Sequence, residues 1–194
     1  MNLHVVPPLL AQAAAARRRQ GRLARRLIDA APGHVARIAW SELAQAPGWM
    51  AWSVADLARG SRRLGALAYA EVTEGWIDAG LMAALREAVG PGWPGAVPAS
   101  GLPARPTVRP EWLLPVRRPR HVAPALQAVG AAVLVGATAP GVWQAVAREM
   151  LAPLVLSGSV PDWPRDAAQA LVDTACAVGV FDPCGVSGTV GAEA

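Results

Sequence analysis

The sequence predicts a mainly α protein, either a compact helical domain or two helical lobes joined by a proline-rich segment. Three observations carry that prediction. Apolar residues recur three and four apart through most of the chain, the spacing of one helix face. No alternating run of strand type is convincing. Eight prolines fall between residues 91 and 120, too many for a helix interior or a central strand. A hydrophobic fraction of 53% against 16% charged residues allows a sizeable core and excludes the composition of a disordered protein. At 194 residues, one domain or two small lobes both fit. The breaks divide the chain into an N-terminal helical lobe (1–90), a proline-rich connection (91–120), a C-terminal helical lobe (121–180) and a flexible tail (181–194).

The first helix is expected over 11–30. Leu23 and Leu27 lie four apart and share a face with Ala16 and Ala30, and "APG" at 31–33 ends the run. "HVARIAWSELAQAPG" is expected to form a shorter helix, with Val35, Ile38, Ala39 and Leu43 on one broad apolar face. In "WSVADLARGSRRLGALAYA", Ser53 caps a helix striped by Val54, Leu57, Leu64 and Leu67, with Arg59, Arg62 and Arg63 on other faces. Gly60 weakens the middle of that helix. Val72, Trp76 and Leu81 form a further stripe, and Leu81, Leu85 and Val89 lead to a C-cap at Gly90.

Beyond that point the connection is stiffened by its prolines, and Trp112, Leu113 and Leu114 are expected to pin it to a surface. Helices follow over 122–138 and 142–156, the second striped by Trp143, Val146, Met150 and Leu154. "PDWPRDAAQALVDTACAVG" supplies the last. Pro164 suits its first turn, Asp162 and Asp166 complement its positive end, and Leu171, Ala175 and Val178 line its inner face. Residues 122–147 carry no charged side chain, but Pro124, Gln127 and the "PG" at 140–141 interrupt them. The densest part, "AVGAAVLVGATA", is 12 residues, short of the roughly 20 a membrane span needs. A buried helix is the reading.

All 18 basic residues are arginine. Selection for bidentate ion pairing or a base-composition bias accounts equally for that. Residues 1–120 hold 16 arginines and 8 acids, net +8, and residues 121–194 hold 2 arginines and 6 acids, net −4. Such a division suits oriented docking to partners. The densest basic stretch is "RRRQGRLARR" at 17–26. On a helix, Arg18, Arg22, Arg25 and Arg26 gather on one side, Arg17 and Arg19 widen the polar arc, and Leu23 and Leu27 point elsewhere. Nucleic-acid binding wants an aromatic or groove-entering companion, and adsorption to acidic lipid wants bulky apolar residues opposite the charges. The neighbours here are mostly alanine, so a protein-docking or solvated face is the reading, with a nucleic-acid-binding regulator that uses this Arg-rich helix as the alternative. Glu71, Glu74 and Asp78, at i, i+3 and i+7, share a helical face as candidate docking acids or as a second solvated face.

No catalytic, cofactor-binding or metal-ligating constellation is identified, and no cofactor or small-molecule substrate is expected. The remaining alternative is an enzyme with an unrecognised site between the two lobes, which needs an apolar pocket with converging polar groups. His4, His34 and His121 have no ligand-like spacing, and His34 reads as a helix-start or surface residue. Cys176 is expected to pack as a small hydrophobe and Cys184 to be exposed, neither with an identifiable base. The opening "MNLHVVPPLL" lacks the pattern of a secretory signal, so reduced thiols in a cytoplasmic protein are expected. "GVSGTVG" at 185–191 lacks the following helix that a phosphate-cradling loop requires.

The order of "SRRLGALAYAEVTEGWIDAGLMAALREAVG", a proline-rich middle and "LQAVGAAVLVGATAPGVWQAVA" resembles the small accessory proteins of the bacterial type III secretion sorting platform, the SctK-like group that includes proteins of the Hrp systems. The likeness spans about 60–180 and is best over 64–90, through Leu64, Gly65 and "LMAALREAVG". It implies a non-enzymatic, helical, cytoplasmic adaptor that links the pod component to the inner-membrane ring. Partners would then be pod and ring proteins, with membrane contact only through them and nucleic acid not expected. The Arg-rich start and the proline-rich segment depart from the family pattern.

Overall fold

A computed structural model describes residues 8–39, 41–76, 78–90, 107–155 and 162–179. Among them every regular element is helical: α1 (Pro8–Ala30), α2 (Pro32–Val35), α3 (Val54–Ala68), α4 (Ala70–Glu74), α5 (Ala79–Val89), α6 (Val122–Ala137), α7 (Val142–Leu151) and α8 (Arg165–Ala177), with short 3-10 turns between. The mainly α expectation holds. Local chemistry sets several of the boundaries. The Ser53 hydroxyl accepts from the Asp56 amide at 3.1 Å and opens α3. The Asp78 carboxylate accepts from Gly80 and Leu81 at 2.7 and 3.1 Å and opens α5. Gly90, at φ 78, closes α5.

One hydrophobic core draws from both sides of the proline-rich connection, from Leu23 and Leu27 to Leu171 and Ala175. Its centre is α6, packed by α3, α5, α7 and α8. The α3–α6 crossing is the closest, and glycine permits it from both helices. A β-carbon on Gly65 would lie 2.0 Å from the Leu126 carbonyl oxygen, and one on Gly130 would lie 1.8 Å from that of Ser61. The small residues Ser61 and Gly65 thus face Leu126 and Gly130 at backbone contact, with Ser61 itself fully buried. The stretch Pro119–Ala137, 19 residues of mean hydropathy 1.2, is long and apolar enough to cross a membrane by length and composition. In the fold, Val122, Leu126, Val129 and Val133 of this stretch are completely enclosed by protein.

Three expectations are corrected. "HVARIAWSELAQAPG" is not one helix: α2 ends at Val35, and 3-10 turns follow at Glu42–Gln45 and Gly48–Ala51. Glu42 captures the Ala39 amide at 2.8 Å, and Pro47 cannot supply an amide to a continuing ladder. Val54 is not on the buried stripe, being 62% exposed at the start of α3. Gly60 is not a flaw in α3, because the Trp52 ring lies where its β-carbon would be, 2.5 Å away.

The proline-rich connection is pinned where expected. Trp112 packs against Trp163 with centroids 5.1 Å apart and the rings tilted by 46°, Arg109 covers the Trp112 ring at 5.5 Å, and Tyr69 donates to the Leu114 carbonyl at 2.6 Å. Its earlier part, 91–106, and the tail lie outside the described residues.

Candidate interaction surface

The surface is built on α1. Leu23 and Leu27, 1% and 2% exposed, fix one face of its C-terminal half to the core. Arg19 and Arg26 stand at i−4 and i+3 from Leu23, so they flank that face and reach inward. Arg19 Nη2 donates to the Ala46 carbonyl at 3.0 Å, and Arg26 Nη1 donates to the Trp52 carbonyl. The two acceptors bracket the segment that carries buried Trp49 and Met50, so these two arginines tie α1 to the start of α3. Burial lowers the Arg26 guanidinium from its ordinary value, and Asp29 opposes that shift.

Arg26 therefore does not belong to the exposed basic face. The corrected ridge is Arg18, Arg22 and Arg25, exposed at i, i+4 and i+7, with exposed Arg17 beside it. Over that spacing the ridge runs about 10 Å along the helix. Over residues 12–18 α1 faces solvent: Gln12, Ala13, Ala15, Ala16, Arg17 and Arg18 are all exposed. Ala16 points the same way as Leu23, but the core does not extend beneath it. Planar guanidinium groups on a rigid helix suit bidentate pairing with carboxylates.

The expected acidic face is not formed. Glu71 and Glu74 are exposed on α4, which ends at Glu74, and Asp78 instead caps α5. Gly75 closes α4, so the three acids never share one helix. Glu71 lines a shallow notch with Leu67, Val108, Leu171 and Thr174, about 280 Å³ with the solvent at its mouth included.

His34 is neither a helix start nor a free surface residue. It lies within α2, and its Nε2 sits 3.2 Å from Glu149 Oε1 of α7, an ion pair when the imidazole is protonated. His121 is exposed and its Nε2 accepts from Arg120 Nε at 3.3 Å. Cys176 is half-buried against the core. His4, Cys184 and the "GVSGTVG" run lie outside the described residues. Among the described residues, no three metal-ligating side chains come together.

Sequence reasoning missed the inward turn of Arg19 and Arg26. The signal was present, since both fall one turn from Leu23, on the edge of the stripe that Leu23 and Leu27 define. No family model, curated protein or solved structure matches the chain.

Proposed function

We propose that this protein is a non-enzymatic adaptor that docks acidic protein partners through the solvent face of α1. The observation that carries the reading is the division of labour along that helix. Its C-terminal half is fastened by Leu23, Leu27, Arg19 and Arg26, while its N-terminal half and the Arg18, Arg22, Arg25 ridge stand in solvent. A helix held in this way presents its charges without losing further backbone freedom on binding.

The setting we propose is the cytoplasmic face of the bacterial inner membrane, within a type III secretion sorting platform, where the chain links the pod component to the ring. The resemblance over 60–180 and the helical fold support that setting. The test is capture of pod and ring components by the tagged full chain, alongside R18E/R22E. Capture should fall about tenfold or more in the variant, because reversed charges repel an acidic partner. Failure to capture any secretion component sinks the setting, and equal capture by both forms sinks the docking face. If the ridge instead binds duplex DNA or RNA with steep salt dependence, lost in R18E/R22E, a nucleic-acid-binding regulator replaces this reading.

A further inference from the structure

The chain carries its own complement to the α1 ridge. Helix α8 buries Ala168, Leu171, Val172 and Ala175 and turns Asp166, Gln169 and Asp173 to solvent. Gln169 Nε2 donates to Asp173 at 2.8 Å, which leaves the Gln169 carbonyl oxygen free in direction to accept from outside. Arg18, Arg22, Arg25, Asp166 and Asp173 make no ion pair among the described residues. The two ridges have the same spacing when one is read backwards. Arg18, Arg22 and Arg25 stand at offsets 0, 4 and 7, as do Asp173, Gln169 and Asp166.

We propose that the α1 ridge of one copy docks antiparallel on the α8 ridge of a second copy. Arg18 meets Asp173, Arg22 meets Gln169, and Arg25 meets Asp166. The rungs coincide at about 0, 6 and 10.5 Å along both helices. Small residues beside the charges allow the axes to approach: Gly21 within the ridge and Ala15 one turn before it on α1, Ala170 within the ridge and Ala177 one turn after it on α8.

Because the two surfaces differ, the contact is heterologous. The docked pair keeps one free ridge of each sign, acidic on one copy and basic on the other, so assembly continues into a chain or closes into a ring. The contact rests on exposed charge, so salt weakens it. It uses the same ridge as the adaptor reading but needs no foreign partner, and an acidic partner would compete for it.

The test is sedimentation of the full chain at low salt over rising concentration. The wild-type weight-average mass should rise with concentration and return to that of the monomer at high salt. R18E/R25E and D166R/D173R should each weaken association about tenfold or more. An equal mixture of the two should recover it, because each reversed ridge then meets a reversed ridge. Circular dichroism checks that both variants are folded. If one is not, R18Q/R25Q and D166N/D173N replace them and should each weaken association. A wild type that stays monomeric throughout overturns the proposal. So does association that the variants leave unchanged, or a mixture of folded reversal variants that does not recover. A monomeric wild type that still captures a secretion component, in a manner lost in R18E/R22E, overturns self-docking alone and leaves the adaptor reading standing.

Discussion

Replacing Gly130 with alanine puts a methyl group 1.8 Å from the Ser61 carbonyl oxygen and 2.6 Å from its carbon. Both atoms are backbone, so no rotamer change relieves the overlap and the helices must separate. Reaching even 3.0 Å from 1.8 Å requires about 1.2 Å of movement (3.0 − 1.8) at the centre of the core. Leu57, Leu64, Leu126 and Val129 are at most 1% exposed in this part of the core, and a gap near 1 Å forfeits roughly a quarter to a half of each close contact they lose. Overpacking costs about 1–3 kcal/mol, occasionally more, and alanine returns at most about 1 kcal/mol of helix propensity. With backbone as the obstacle, we expect a net loss of about 3 kcal/mol, or roughly 6–12 °C in Tm. Gly65→Ala, 2.0 Å from the Leu126 carbonyl oxygen, should behave alike. The double variant should cost at least about 1 kcal/mol less than the sum, since one separation relieves both overlaps. Gly21→Ala is the control: nothing lies within 4 Å of its β-carbon position, so it should stabilise by about 0.5–1 kcal/mol. Urea unfolding followed by tryptophan fluorescence reads all four. Gly130→Ala within about 0.5 kcal/mol of wild type, or strict additivity with Gly65→Ala, would refute the reasoning.

Tyr69 is the only tyrosine in the chain, so its titration is directly visible as tyrosinate absorbance. Burial pushes its pKa from 10.0 up to about 12. The native state therefore holds this proton more tightly than the unfolded state. The associated stability is fully present below pH 10 and is lost as pH rises through about 12. A native midpoint near 10, equal to that in urea, would contradict the burial of the Tyr69 hydroxyl. Arg26→Ala should destabilise by about 1–2 kcal/mol, because the Trp52 carbonyl loses a charged donor and the core edge loses the arginine stem. Arg18→Ala and Arg22→Ala should each stay within about 0.5 kcal/mol, and equal losses for Arg26 and Arg18 would undo the division of α1 into a fastened and a presented side.

Much of the fold was legible because helical period and local punctuation agree along most of the chain. The Ser53 cap, the Gly90 terminus and the stripe at Val146, Met150 and Leu154 needed no tertiary information. Periodicity failed where the chain is short and its apolar residues serve different neighbours. Leu43 is buried in a 3-10 turn while Ile38 is half-exposed beyond α2, so no single axis relates them. Gly60 was misread for a related reason, and the roles of Gly65 and Gly130 were not seen. In the sequence, Gly60, Gly65 and Gly130 register only as lost helix propensity. Their value is the room they leave for Trp52, Leu126 and Ser61, a property of residue pairs far apart in the chain. The acidic trio failed through one local event: Asp78 uses its carboxylate to start a helix, which removes it from the face that a continuous helix would have shared with Glu71 and Glu74.

The same competition between local and distant partners decides what the Arg-rich stretch is. A helical wheel sets the six arginines in relative directions, but only Leu23 and Leu27 say which direction is inward. Measured from those leucines, Arg19 and Arg26 lie on the boundary, where an apolar stem can be covered while the guanidinium finds a carbonyl. Arg18, Arg22 and Arg25 lie on the exposed side, where among the described residues they donate to no carbonyl and water is the competing partner. A charged group satisfied by backbone contributes to holding the helix; one left to solvent can still bind. The stretch is thus divided by turn: two arginines fix α1 so that three others keep one register in space, and that fixed register is what a matching row of acceptors on a partner can recognise.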